Sequence, residues 1–350
     1  ELDVDTGDGG SNNIEIKEWS SESKKRLDEA REKLKYLCEP VPTSLDGTRE
    51  IEQYLHYFCG KADDPQALND TEDLRVAFYK TVSTFIRAFS DIAQDLNDVG
   101  YNNKEEDELQ QEVKFYSEIR SAIKNYSNEE LDVKPYEADM RHLLNTYIQA
   151  EEANDIGNLQ SLSLGELIID TGIHDAIARK INQKGKLSNK TVAETIINNI
   201  RSTIIRNQLT DPRFYGTISK LLDDLIKQNC EDIKQYELFL NNAEELFKRM
   251  MKKEYSEDIP SDLHGKSEAI VIYNNLFSLP KINFQSPTSD DERAKLALKI
   301  DTAIRDNAPS GWRGDQVRES QVLNLLFPIL EKDREATMAL FEIIKNQEGY

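Results

Sequence analysis

The sequence predicts an all-α protein, a multi-helix bundle in two packed helical subdomains. Three observations lead there. Apolar residues recur three or four apart along most of the chain, which is the period of a helix with one buried face. Charged residues reach 31% of the 350 positions while Gly (15) and Pro (10) are scarce, the profile of amphipathic helices with wet outer faces. No alternating apolar–polar run is long enough to build a sheet.

Residues 1–20 read as a linker or frayed edge, because Asp3, Asp5, Gly7, Asp8, Gly9 and Gly10 form a turn-rich stretch without an apolar period. A calcium loop there would need oxygen ligands at its first, third and fifth positions and Gly at the sixth, and the register fails. The helical period starts at Ser21, with Leu27, Ala30, Leu34 and Leu37 on one face, and Pro40 and Pro42 end it. Ile51 to Phe58 is a short apolar and aromatic run, a brief helix or a packing segment. The clearest element is 72–97, where Leu74, Phe78, Val82, Phe85, Phe89 and Leu96 keep the spacing over about six turns. Helices over 105–126 and 136–150 follow, joined by short polar loops that favour antiparallel neighbours.

Residues 151–162 lose the period, which places the boundary there and gives subdomains 21–158 and 159–350. Thr191 and Glu194 have the spacing of a capping box ahead of the Ile196–Ile204 run, and Ser289 with Glu292 repeats it. Asp211-Pro212 is a strong helix start. Further helices are expected over 231–252, 261–277, 289–305, 315–329 and 333–346.

Composition bounds the function. The net charge is −21, and residues 1–150 carry 18 basic against 33 acidic groups, so a nucleic acid is repelled by the first half as a whole. No run approaches the roughly 20 apolar residues of a membrane helix. No secretory leader opens the chain, and the first residue is not Met, as expected of a fragment cut from a longer polypeptide. Cys38, Cys59 and Cys230 are too few for a disulfide scaffold, which fits a reducing, cytoplasmic setting.

Catalytic motifs fail on inspection. Gly265-Lys266-Ser267 ends like a phosphate loop, but Pro260 stands where its first glycine belongs. Cys38, His56 and Cys59 offer three zinc ligands without a second pair to complete a site, so the cysteines read as small buried apolar residues. No His has the Glu-x-x-His partner of a di-iron bundle, and no nucleophile elbow occurs. No residue is therefore assigned as catalytic or metal-binding. Two features stand out. Arg179, Lys180, Lys184, Lys186, Lys190, Arg201 and Arg206 face a single acid, Glu194, a local reversal of sign able to meet DNA or an acidic partner. The turn Gly311-Trp312-Arg313-Gly314-Asp315 offers Trp312, Arg313 and Asp315 as docking candidates. The plain alternatives are a solvated basic face, and a turn whose Trp plugs the bundle end while Asp315 caps the next helix.

Several strings together resemble the C-terminal helical region of the restriction (motor) subunit of type I restriction-modification enzymes. They are Leu37-Cys38-Glu39-Pro40-Val41, the stretch Phe78 to Leu96, Phe115 to Arg120 and Tyr136 to Glu151. Val192 to Thr195, Asn198 to Arg201, the Trp312–Asp315 turn and Ala339 to Glu342 follow in order. The resemblance runs from about Leu27 to Tyr350 and implies much that the residues do not carry. Such subunits hold a nuclease domain and two ATP- and magnesium-dependent motor lobes upstream of this region, and assemble with methyltransferase and specificity subunits. It implies that 1–20 is a linker from an upstream motor lobe. This chain would then lack cofactors of its own and dock the DNA translocase and endonuclease onto the methyltransferase core. The alternative is a helical module that binds duplex DNA through 179–206.

Overall fold

The computed structural model describes residues 10–43, 47–129, 162–182, 185–230, 232–255, 258–279 and 289–350, with side chains from Ser21 onward. The expected helix 136–150 and the 158/159 boundary lie outside the described residues, as does Lys184. Among those described the architecture is all-helical, with fourteen α-helices. No helix among them is long and apolar enough to cross a membrane. Contacts divide the chain into two compact units, Glu1–Asn199 and Ile200–Tyr350.

In the first unit the order is α1 (Gly10–Cys38), α2 (Ile51–Cys59), α3 (Ala67–Asp70), α4 (Glu72–Ser90), α5 (Asn103–Ser127), α6 (Leu164–Thr171) and α7 (Ile173–Ala176). A π-helical turn, Ile177–Ile181, follows, and α8 (Asn189–Asn207) carries the chain through the division. α1 packs on α4, and α5 on both α2 and α4. The faces read from the spacing meet in one core holding Leu27, Leu34, Phe58, Phe78, Phe85 and Ile119. Each such side chain stabilises the fold by about 1.5–3 kcal/mol relative to exposure. Phe58 and Phe78 approach to 4.4 Å between ring centroids.

Two boundaries differ from expectation. α1 starts at Gly10, so residues 10–20 are helical rather than linker; the stretch Ser11–Ser20 contains no proline and holds Glu15, Lys17 and Glu18, which tolerate a helix. α4 stops at Ser90, short of 97, because Asp91, Asp95, Asn97 and Asp98 favour turns. Tight bonds from Ile92 N to Phe89 O and Asp95 N to Ile92 O replace the helical ones, while Ile92 and Leu96 stay buried. α5 begins on a capping box in which Asn102 accepts from Glu105 N and Glu105 from Asn102 N.

The second unit contains α9 (Pro212–Ile226), α10 (Ile233–Met251), a 3-10 turn Ser261–Leu263, α11 (Ser267–Leu276), α12 (Asp290–Asn307), α13 (Gln316–Ile329) and α14 (Arg334–Lys345). α11 packs on α12 and α14, α13 on α12 and α14, and α9 on α10 and α11. Asp211 caps α9 as read, accepting from Phe214 N at 3.2 Å with Pro212 in the first turn. The same carboxylate is fully buried and also accepts from Asn274, Asn275 and the Tyr255 hydroxyl. Ser289 caps α12 through Glu292 N.

Candidate functional site

The residues singled out in the sequence separate into two places. The Trp312–Asp315 turn sits in the second unit. Trp312 is 3% exposed and joins the core with Phe341, its ring 5.7 Å away. Of the two readings of Trp312, a docking candidate and a plug of the bundle end, its burial fits the plug. Its indole N–H is buried with no hydrogen-bond partner among the described residues. Arg313 turns inward too. Its Nε donates to Lys345 O at 2.9 Å, its two terminal nitrogens to Gln347 O and Tyr350 O, and its guanidinium lies 4.6 Å over the Trp312 ring. The last carbonyl of α14 and two in the segment after it thus close on one cation, which the helix dipole favours at Lys345. Asp315 caps α13, accepting from Val317 N and Arg318 N. Of the three candidates Asp315 stays exposed, and beside it Val317 stands outward, 70% exposed in the first turn of α13.

The basic stretch is also altered by folding. Arg179 pairs with Asp175 at 3.7 Å, and Lys180 donates to Leu162 O from the π-helical turn. Arg201 is buried, and Arg206 reaches Ser202 Oγ at 3.2 Å. Lys186 and Lys190 stay exposed. Among the described cations of this stretch, Arg179 and Lys180 are thus engaged within the first unit and Arg201 is buried in the second, while Lys186 and Lys190 are exposed in the first unit.

Glu52 and Glu194 belong to a polar site among the described residues, where α2, α5 and α8 meet. Glu52 and His56 lie one turn apart on α2 and so share a face. Glu52 accepts from Ser188 N at 2.9 Å and from the Thr191 hydroxyl at 2.8 Å, and so caps α8 from another helix. His56 Nε2 lies 2.7 Å from Glu194 Oε2, and the Tyr126 hydroxyl of α5 donates to that oxygen at 3.1 Å. Farther along, Asn199 donates to Asn125 O at 2.9 Å and Asn125 to Lys180 O at 3.0 Å. The Thr191–Glu194 capping box expected from the spacing is thus not formed. α8 starts three residues earlier, Ser188 Oγ accepts from Thr191 N, and both box residues bond to α2 instead.

The electrostatics follow from these partners. The Glu194 bond is the largest influence on His56 and raises its pKa above the ordinary imidazole value; burial opposes, and Lys190 lowers it slightly. Burial pushes Glu52 upward, but the bonds from Ser188 and Thr191 outweigh it and hold the carboxyl below its usual range. A carboxylate-oriented imidazole of this kind can hold and release a proton near neutrality. Cys38 and Cys59 are buried and not joined in a disulfide; burial raises the Cys38 thiol to about 12 and Cys59 higher still. With His56 on Glu194, the three do not converge, and no metal-holding group of His, Cys, Asp or Glu occurs among the described residues. Gly265-Lys266-Ser267 forms a turn into α11 with the Lys266 ammonium on Asp262 O, so these residues do not fit an ATP loop. The Glu194–His56 pair was missed in the sequence because 138 positions separate its members.

No family model matches the chain, and no curated protein and no solved structure is significantly similar to it.

Proposed function

We propose that the chain is a non-catalytic helical module of a type I restriction enzyme's motor subunit, docking the translocase and endonuclease part onto the methyltransferase–specificity core. The observation that carries this reading is the build of the second unit around α13. Behind that helix the Arg313 clamp and the Trp312 plug make a fixed base. In front of it Val317 (70% exposed) and Phe327 (38% exposed) stand outward on a helix whose Val322 and Leu326 are fully buried. Apolar side chains held rigidly in solvent suit a protein partner more than a polyanion. The other support is the sequence resemblance to that helical region.

In this reading ATP and magnesium serve the motor lobes of the parent subunit, and the setting is the cytoplasm. The rival, duplex binding through 179–206, is weakened by the inward use of Lys180 and Arg201 and by the Arg179–Asp175 pair.

The test is a pull-down of the full chain with the methyltransferase–specificity complex of the same operon. Wild type is expected to bind, and Val317→Asp with Phe327→Ser to lose binding while circular dichroism and melting stay unchanged. Absence of wild-type binding, or full binding by the folded double variant, overturns the docking face. Binding of a DNA duplex that falls steeply with salt and is lost on Lys186→Glu with Lys190→Glu would favour the rival.

A further inference from the structure

The polar site joining α2, α5 and α8 has a property that the docking proposal does not use. The first half of α8 is fastened by side-chain bonds at three levels: Glu52 at its start, His56 and Tyr126 one turn on, and Asn199 bridging to Asn125 O. The middle level is the one that titrates. Glu194 is only 16% exposed, and one of its oxygens, Oε2, takes both donors. Below α8, Glu52 supplies a second carboxylate on the same face of α2. His56 lies within electrostatic reach of both, and Lys190 is the cation opposing it. Tyr126 stands edge-on, 6.5 Å from the imidazole ring, with its hydroxyl pushed far above the phenol range by burial, so it stays a neutral donor. Among the described residues these are the charged and titratable groups that face His56.

We propose that His56 and Glu194 form a proton-operated latch that fastens the first half of α8 to α2 and α5. With the imidazole charged, its N–H···carboxylate bond is charge-assisted and a cation separates Glu52 from Glu194. When that proton leaves, a neutral tautomer keeps at most an ordinary bond, and two half-buried carboxylates on facing helices lose the charge between them. Local opening of α8 then becomes more frequent while the core beneath stays intact. The direction follows from linkage. The folded-state pKa lies above the unfolded one, so the latch is fully closed below the unfolded value of about 6.5 and weakens as pH rises through the folded value. At 42% side-chain exposure of His56 the effect is partly screened by solvent.

The test uses the full chain with its four histidines labelled at the imidazole carbon, the His56 signal assigned by its loss in His56→Gln. His56 is expected to titrate above about 6.5 in the wild type and to fall to that value or lower in Glu194→Gln. In parallel, amide hydrogen exchange over 189–199, corrected for the intrinsic pH dependence, should rise several-fold as pH passes the His56 midpoint. Exchange in His56→Gln should lack that rise. Titration of wild-type His56 at or below about 6.5, or corrected exchange that ignores pH in the wild type, overturns the latch. Neither readout depends on whether the docking proposal holds.

Discussion

Replacing Arg313 by Ala separates the two roles that the turn suggests. The guanidinium satisfies three backbone carbonyls, those of Lys345, Gln347 and Tyr350, and covers the Trp312 ring. Hydrogen bonds from a charged donor contribute about 1.5–3 kcal/mol each, and partial solvent access to this site favours about 1 kcal/mol per bond. The lost stacking adds about 0.5–1 kcal/mol. The variant should therefore be destabilised by about 3–4 kcal/mol, and Arg313→Lys, with one ammonium in place of a fork, should recover about a third of that. Urea unfolding of the full chain in a Trp19→Phe background makes Trp312 the sole indole reporter, since the chain has only two tryptophans. A midpoint for Arg313→Ala within about 0.5 kcal/mol of the parent would refute the clamp. Loss of partner binding without loss of stability would return Arg313 to the partner-facing surface.

Asp211→Asn should cost about 2–4 kcal/mol in the same unfolding assay, because an amide cannot accept from Phe214 N, Asn274, Asn275 and Tyr255 together at a fully buried position; a loss below about 0.5 kcal/mol would show the network to be slack. Gly60→Ala should lower the melting temperature of the first unit. Its φ is +71° and a Cβ would stand 2.7 Å from Ala67 Cβ, with about 1–3 kcal/mol of backbone strain besides. An unchanged melt would mean that α3 can shift to make room.

The helical period carried most of the fold. It was legible because faces such as Leu27–Ala30–Leu34 and Phe78–Val82–Phe85 are decided by local spacing, and they meet in one core. The Asp211-Pro212 start was legible for the same reason. Readings failed where a distant residue outcompeted a local one. Thr191 and Glu194 spell a capping box, yet Glu52 and His56, far away in the chain, take their side chains. Trp312 and Arg313 spell an interface pair by composition, but the C-terminal carbonyls that claim Arg313 lie more than thirty positions on. A run of cations likewise says nothing of which members find partners, as Lys180 and Lys186 show. Side-chain competition across long sequence separations has no periodic signature.

The two rival caps of α8 have a consequence for the order of folding. In the chain before collapse, Thr191 and Glu194 can cap each other, so a nascent helix would begin there and be stable only briefly. The native start is capped locally by Ser188 Oγ and fastened besides by Glu52, 136 positions upstream of Ser188. Bringing α2 into place costs the entropy of closing that long loop, so the Glu52 bonds add to the local cap only once the core of the first unit holds α2 there. Moving from one cap to the other lengthens the helix backward by three residues, as the Thr191 hydroxyl and the Glu194 carboxylate are surrendered to α2. Two locally competent caps three residues apart thus compete for the start of this helix, and the bonds from α2 favour the earlier one.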